Sequence, residues 1–422
     1  MLLKKIKDLF LGDKTNARYA KLFVLLMSLS FAVYTIFYII KGEADYVDIF
    51  FIRTSDLFMD FFNSVRDASQ GPRVYTVRHV IYPPMANLLY LAFSRFLPSS
   101  YNDTGWSKRA TWMEYSEAIL LIALITLICG LLLFFLVYEK LNASKGVKFL
   151  FAFFAVINMP LFHMIERGNI IFFCLISLMV YAFTYSSESK VYREIGLIAL
   201  AFAFSLKLYP VVFGYFLLID KRYKDAIRCA IYGLLMLVIP SFFFGGPQCF
   251  VQIAQNIFSF SSGTGAGSVS VIAGYSGIPM SVISALAYFW CLVCALCFAV
   301  GPFVHSERWK VWMMGLITFM CVPSLTSLYL WAFFLIPVIF FINSGKARAK
   351  NVFFFVMMIS LFVFSVTRFN SWLTINSFLV FPFTTILSIV AVVDTVVCGI
   401  KKLKALKSAK SADGEAAPQI ED

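Results

Sequence analysis

Charge is scarce in this chain. Asp, Glu, Lys and Arg make up 14% of its 422 residues, while hydrophobic residues reach 60% and mean hydropathy is +0.82. A soluble domain carries about 25% charged residues. No soluble fold can bury so much apolar surface, so the composition points to an all-α polytopic membrane protein. The apolar runs hold almost no charge at their centres and show no inverted repeat, which weighs against a transporter. Only three histidines occur, and none stands in a cluster with carboxylates that would require a metal. Cys291, Cys294 and Cys297 repeat every third residue but lack His or acidic partners, so they read as small apolar residues. Cys249 is the one cysteine clearly outside the apolar runs, so a structural disulfide is not expected. No small-residue cleavage site follows the first apolar run, which therefore reads as an anchor. No nucleic-acid-binding motif is present, despite a net charge of +13.

What the chain has is apolar runs. They fall at 21–41, 116–138, 149–165, 169–185, 194–207, 209–220, 226–244, 279–303, 311–323, 325–343, 351–367 and 376–400, about twelve transmembrane helices by the apolar-run criterion. Basic residues gather in alternate connections. They lie before the first run (Lys4 to Lys21), at Lys140–Lys148, Lys190–Arg193, Asp220–Arg228, Glu307–Lys310 and Lys346–Lys350, and after the last run (Lys401 to Lys410). The positive-inside rule places these connections and both termini in the cytoplasm. It places 42–115 and 245–278 on the outer face of a plasma (inner) membrane. The 245–278 stretch carries no charge and is rich in Gly and Ser. It is either slack or a cover over a site. After the basic cluster at 401–410, the tail through 422 reads as disordered and cytoplasmic.

The outer stretch 42–115 is the one with a rich ionic inventory. Within it, DLFMDFFNSVRDASQGPRVYTVRHVIYPP (56–84) interleaves aspartates and arginines and ends in a Tyr-Pro-Pro turn. Charge beside a bilayer is costly unless it is paired or used. Asp56, Asp60 and Asn63 share a helical face, with Leu57, Phe58, Phe61 and Phe62 on the rest. That pattern predicts an amphipathic helix lying along the membrane. A second such helix is predicted over 85–97, with Pro84 in its first turn. A second informative region runs over 158–220. Glu166-Arg-Gly-Asn169 sits at one outer turn, and Leu206-Lys-Leu-Tyr-Pro210 at the next. Lys207, between two apolar runs and without a neighbouring acid, calls for an anionic partner such as a phosphate.

In order, these motifs are an outer Asp after the first run, Tyr82-Pro-Pro, the Gly168-Asn169 turn and Leu-Lys-Leu-Tyr-Pro. As a set they resemble the GT-C glycosyltransferases, and among these glycosyltransferase family eighty-seven, the polyprenol-phosphate-mannose-dependent mannosyltransferases and their bacterial relatives. The usual Gly-Gln-x-Asn turn of that family is Glu166-Arg-Gly-Asn169 here. The resemblance is carried by residues 20–245, whereas the C-terminal third matches in hydropathy alone. It implies a GT-C-like catalytic module over 1–245, with the site in outer loop 42–115, a variable transmembrane module over 246–400 and a tail over 401–422. It also implies a polyprenyl-phosphate sugar donor and an outer-face acceptor, with Asp56 as catalytic base and Asp60, one turn on, as its rival.

Such a transfer needs an activated hydroxyl and a stabilised leaving phosphate. One carboxylate can take the hydroxyl's proton, and cations can hold the phosphate, so no acid–base pair of the glycosidase kind is required. Lys207, Arg167 and Arg78 are the expected phosphate ligands. His79, Tyr82, Asn169 and Tyr209 are the expected substrate contacts. No cofactor is required, although Asp56 and Asp60 could hold a divalent cation weakly. The function expected is inverting transfer of a hexose, mannose-like or related, to a cell-surface glycan or glycolipid. A flippase or a polymerase of lipid-linked glycans is the alternative.

Overall fold

The computed structural model describes residues 17–41, 57–102, 114–263, 276–322, 328–344, 349–363 and 375–415. These residues are helical throughout, with no strand among them. The principal helices are α1 (Ala17–Lys41), α2 (Met59–Ser69), α3 (Pro84–Ser94), α4 (Ser116–Lys140), α5 (Lys145–Val156), α6 (Met159–Arg167), α7 (Ile171–Thr184), α8 (Lys190–Leu206), α9 (Tyr223–Ser241), α10 (Cys249–Gly263), α11 (Met280–Val304), α12 (Arg308–Met320), α13 (Leu335–Asn343), α14 (Ala349–Ser360) and α15 (Ile375–Glu415). Short helical turns at Tyr209–Gly214 and Leu328–Phe334 lie between them.

The expectation of about twelve transmembrane helices does not hold. Among the described residues five helices are long and apolar enough to cross a bilayer: Ala17–Ile36, Ser116–Lys140, Tyr223–Phe244, Met280–Val304 and Phe383–Ser408. A sixth span results if α5 and α6, bent by 43° at their junction, count as one. The reason is length. A helix rises 1.5 Å per residue and a hydrocarbon core is about 30 Å thick. Ile171–Thr184 has 14 residues, and the apolar stretches Tyr209–Ile219, Leu328–Asn343 and Asn351–Ser360 are also short. An apolar run alone does not separate a buried helix from a span. α12 and α13 show the buried kind, since Trp309, Trp312, Ile317, Leu335, Ile339 and Phe341 are all buried in the molecule's own core. α4 shows the other kind, with Leu120, Leu124, Leu127, Leu131 and Phe135 exposed along its length. An apolar surface of that extent belongs against lipid.

Two local devices set the frame of the site. Asn158, fully buried, holds the α5–α6 bend. Its Oδ1 accepts from Leu161 N at 3.1 Å, and its Nδ2 donates to the carbonyls of Phe154 and Ala155 at 3.0 and 2.9 Å. This caps α6 and satisfies the end of α5 with a single side chain. α6 then ends at Gly168, in the left-handed region at φ +61°, whose N–H returns to Ile165 O at 2.8 Å. A Cβ there would lie 2.7 Å from Phe61 Cβ. Glycine is thus required twice, for its dihedral and for the approach of α2.

Candidate functional site

α2 and the end of α6 are joined at their backbones. Phe58 adopts a left-handed conformation (φ 56°), starts α2 at Met59 and donates its N–H to Glu166 O at 2.5 Å. A non-glycine residue held in that region is backbone strain maintained by its surroundings. The consequence is that Asp60, in the first turn of α2, faces the turn after α6. Its Oδ1 is ion-paired with Arg167. Its Oδ2 accepts from Asn169 Nδ2 at 2.8 Å. Asn169 is buried and fully engaged. Its Oδ1 accepts from Ile171 N at 3.0 Å at the start of α7, and its Nδ2 also reaches Tyr82 Oη at 3.1 Å.

Tyr82 is fixed through its carbonyl, which receives Tyr75 Oη at 3.1 Å and Asn87 Nδ2 at 3.4 Å. The Pro83–Pro84 pair then starts α3, with proline in the first turn where its missing N–H costs nothing. α3 supplies Tyr90, a buried ring 6.1 Å from that of Tyr82, whose Oη accepts from Ile170 N at 3.1 Å. Lys207 arrives from the end of α8 in extended conformation, outside the candidate spans. Its Nζ lies 4.1 Å from the centroid of the Tyr82 ring. Among the described residues it has no hydrogen-bond acceptor and no carboxylate within ion-pair distance. Burial lowers its pKa to about 8, against the opposing pull of Asp60. The same burial, together with Asp60, holds the Tyr82 phenol well above its usual range, so it stays protonated. Tyr209, two residues after Lys207, packs on Phe319 and Phe333. Its buried hydroxyl has no hydrogen-bond partner among the described residues. The Cys174 thiol donates elsewhere, to Ala203 O.

Asp60, Arg167, Asn169, Tyr82 and Lys207 therefore form one contiguous cluster, with Tyr209 two residues beyond Lys207. Arg78 and His79 have other partners. Arg78 Nε donates to Gln70 Oε1 at 3.2 Å and lies 3.6 Å from Asp67. Asp67 is buried beside Arg66, and burial raises its carboxyl pKa despite both arginines. His79, at φ +53°, has its Nδ1 3.3 Å from Asn256 of α10, whose Nδ2 also binds the carbonyls of Tyr75 and Val80. Asp56 lies outside the described residues. The sequence reading did not single out Tyr90, Asn256 or the pairing of His163 with Glu166. The i,i+3 spacing of the last pair on α6 was the one available signal.

An apolar groove opens beside Asn169, lined by Phe61, Tyr90, Ile122, Ile125, Thr126 and Phe173. Three of these, Ile122, Ile125 and Thr126, come from α4, so the groove lies between Asn169 and that helix. Among the described residues, one group able to hold a cation lies elsewhere. His305, Asp394 and Cys398 place ligand atoms within 4.8 Å of one another. Lys310 Nζ already donates to Asp394 Oδ2 there at 2.6 Å, and His305 Nε2 lies 3.0 Å from Thr395 Oγ1. At the site itself, Arg167 is the cation on Asp60.

Comparison with known proteins adds one finding. A family model, that of glycosyltransferase family 87, matches residues 80–328. The matched stretch includes Tyr82, Arg167, Asn169, Lys207 and Tyr209. No curated protein and no solved structure matches the chain.

Proposed function

The chain belongs to glycosyltransferase family 87, and from that premise we propose that it moves a hexose from a polyprenyl-phosphate donor to a cell-surface glycan or glycolipid acceptor on the outer face of a plasma membrane. The observation that supports this reading is a group of three donors with nothing to donate to. The Lys207 ammonium over the Tyr82 ring, the Tyr82 hydroxyl hydrogen and the hydroxyl of Tyr209, two residues after Lys207, are without acceptors among the described residues. Unmet donors around a half-buried cation are costly unless an anion fills the space. A phosphate offers that charge and several acceptor oxygens.

On this reading Lys207 and Tyr209 hold the leaving phosphate, whose charge grows as the sugar departs. Arg167 lies one residue pair away on Asp60 and contributes to the same positive field. The lipid chain lies along the exposed apolar face of α4. Asn169 and Tyr82 meet sugar hydroxyls. The proton of the acceptor goes to an outer-loop carboxylate, Asp56 or Asp60. Asp60 is suited to this, because Arg167 and Asn169 each occupy one oxygen and leave a second lone pair on both.

A single displacement inverts the anomeric centre. The expected product is a glycoside of configuration opposite to the donor, read from the anomeric carbon–hydrogen coupling by NMR. A product of retained configuration would rule out this one-step scheme.

A further inference from the structure

His163 and Glu166 form a pair that the transfer scheme above leaves unused. Both lie on α6, one helical turn apart, and His163 Nδ1 is 2.9 Å from Glu166 Oε2. The Glu166 side chain is fully buried, whereas that of His163 is 15% exposed. A carboxylate only accepts, so Nδ1 carries the hydrogen and the ring is locked with Nε2 outward. Nε2 is not a buried atom and has no partner among the described residues. A buried carboxylate that orients an imidazole whose far nitrogen is open is the arrangement by which enzymes set a histidine to move a proton.

The ring is aimed by stacking on Tyr329, with centroids 5.8 Å apart and planes 17° from parallel. The Tyr329 phenol in turn is an electrostatic neighbour of Tyr82, Tyr90 and Tyr209. Tyr329 thus links His163 to the tyrosines around Lys207. Asp60 joins the same cluster through Arg167 and Asn169. Arg167 is four residues from His163 on the same face of α6.

Resting on the reading of this pocket as a polyprenyl-phosphate sugar site, we propose that His163, oriented by Glu166, donates a proton from Nε2 to the departing phosphate. With Nδ1–H on Glu166, the cationic form of the ring carries its second hydrogen on Nε2. In the step, the bond between the anomeric carbon and the phosphate oxygen breaks and its electron pair stays on that oxygen. The Nε2 proton moves to the phosphate. The acceptor oxygen bonds to the anomeric carbon and its proton passes to the outer-loop carboxylate. Exchange with water then returns one proton to His163 and removes one from the carboxylate, so the net reaction carries the acceptor's proton to the lipid phosphate. His163 would be the catalytic residue and Glu166 a positioning residue.

The test compares purified wild type with His163→Gln on two short isoprenyl-phosphate hexose donors, one of them fluorinated at the isoprenyl α-carbon to make the leaving phosphate more acidic. General acid catalysis contributes at least about 100-fold. His163→Gln should lower kcat by that factor with the plain donor and by much less with the fluorinated one. Equal losses on both donors would show that His163 only supports the fold, and wild-type rates would show that it does nothing in the step. Binding of isoprenyl monophosphate, measured without turnover, should weaken about tenfold or more in His163→Gln. Unchanged affinity contradicts the proposal. Should His163→Gln fail to fold, Glu166→Gln takes its place, with about a tenfold loss and the same dependence on the leaving group. A wild type inactive on every sugar donor overturns the functional reading itself, and this role with it. An active wild type with an indifferent His163 overturns this role alone.

Discussion

At the scale of single residues, Lys207 carries the most testable consequence. Its ammonium rests on an aromatic face rather than on a carboxylate, and burial brings its pKa to about 8. A bound phosphate monoanion or dianion favours the charged form and raises that pKa. Below pH 8 the free protein is already protonated, so donor affinity should be flat with pH. Above pH 8 binding must take up a proton, and affinity should fall about tenfold per pH unit until the pKa of the complex is reached. Lys207→Met should abolish this slope and raise Kd about 10–100-fold, the loss of one charge-assisted hydrogen bond. Calorimetric titration with an isoprenyl phosphate between pH 7 and 10 checks both points. A steep wild-type dependence that persists in Lys207→Met would assign the proton to another group.

At the scale of elements, the site depends on the corner where α6 ends and α2 begins. Gly168→Ala places a methyl group 2.7 Å from Phe61 Cβ in a left-handed backbone. The dihedral alone costs about 1–2 kcal/mol, and the clash pushes α2, and Asp60 with it, away from Asn169. The expected result is a lower melting temperature in detergent together with loss of transfer. Wild-type stability and activity would show that the corner yields without harm. This corner was only partly legible in the sequence. Arg167, Gly168 and Asn169 stood out as an outer turn, and Asp60 as one carboxylate of an amphipathic face. Their meeting was not visible, because it follows from a backbone hydrogen bond between Phe58 and Glu166, 108 positions apart, that no local pattern encodes. Arg78 and His79 show the converse. They adjoin Tyr82-Pro-Pro in sequence, yet the turn sends the tyrosine to Asn169 while His79 faces Asn256 of α10. The functional pairing of Glu166 was hidden by adjacency. Beside Arg167 it reads as that residue's partner, but a helix turns neighbours 100° apart and gives Glu166 to His163 instead.

At the scale of the whole molecule, the twelve apolar runs overstated the number of spans because buried helices and lipid-facing helices share the same composition. What separates them is length and the face left uncovered, which only the packed structure displays. Orientation is a consequence that can be measured directly. Basic residues at Lys140, Lys145 and Lys148 flank the α4–α5 connection, which the positive-inside rule assigns to the cytoplasm, opposite the loop bearing α2 and α3. In intact cells, a membrane-impermeant maleimide should label Ser99→Cys above the wild-type background and leave Ser144→Cys unlabelled. The reverse pattern would put the site on the cytoplasmic face and the acceptor with it.

The central claim is that the pocket of Asp60, Arg167, Asn169, Tyr82 and Lys207 transfers a sugar from a polyprenyl phosphate. The most direct measurement incubates purified protein, in parallel with Asp56→Asn and Asp60→Asn variants, with radiolabelled polyprenyl-phosphate hexoses and a membrane glycan extract. The account predicts label in the glycan fraction with wild type. It also predicts at least about a 100-fold loss in the variant that removes the base, with donor binding retained. No transfer by wild type from any such donor, alongside movement of lipid-linked glycan across proteoliposomes, would contradict it.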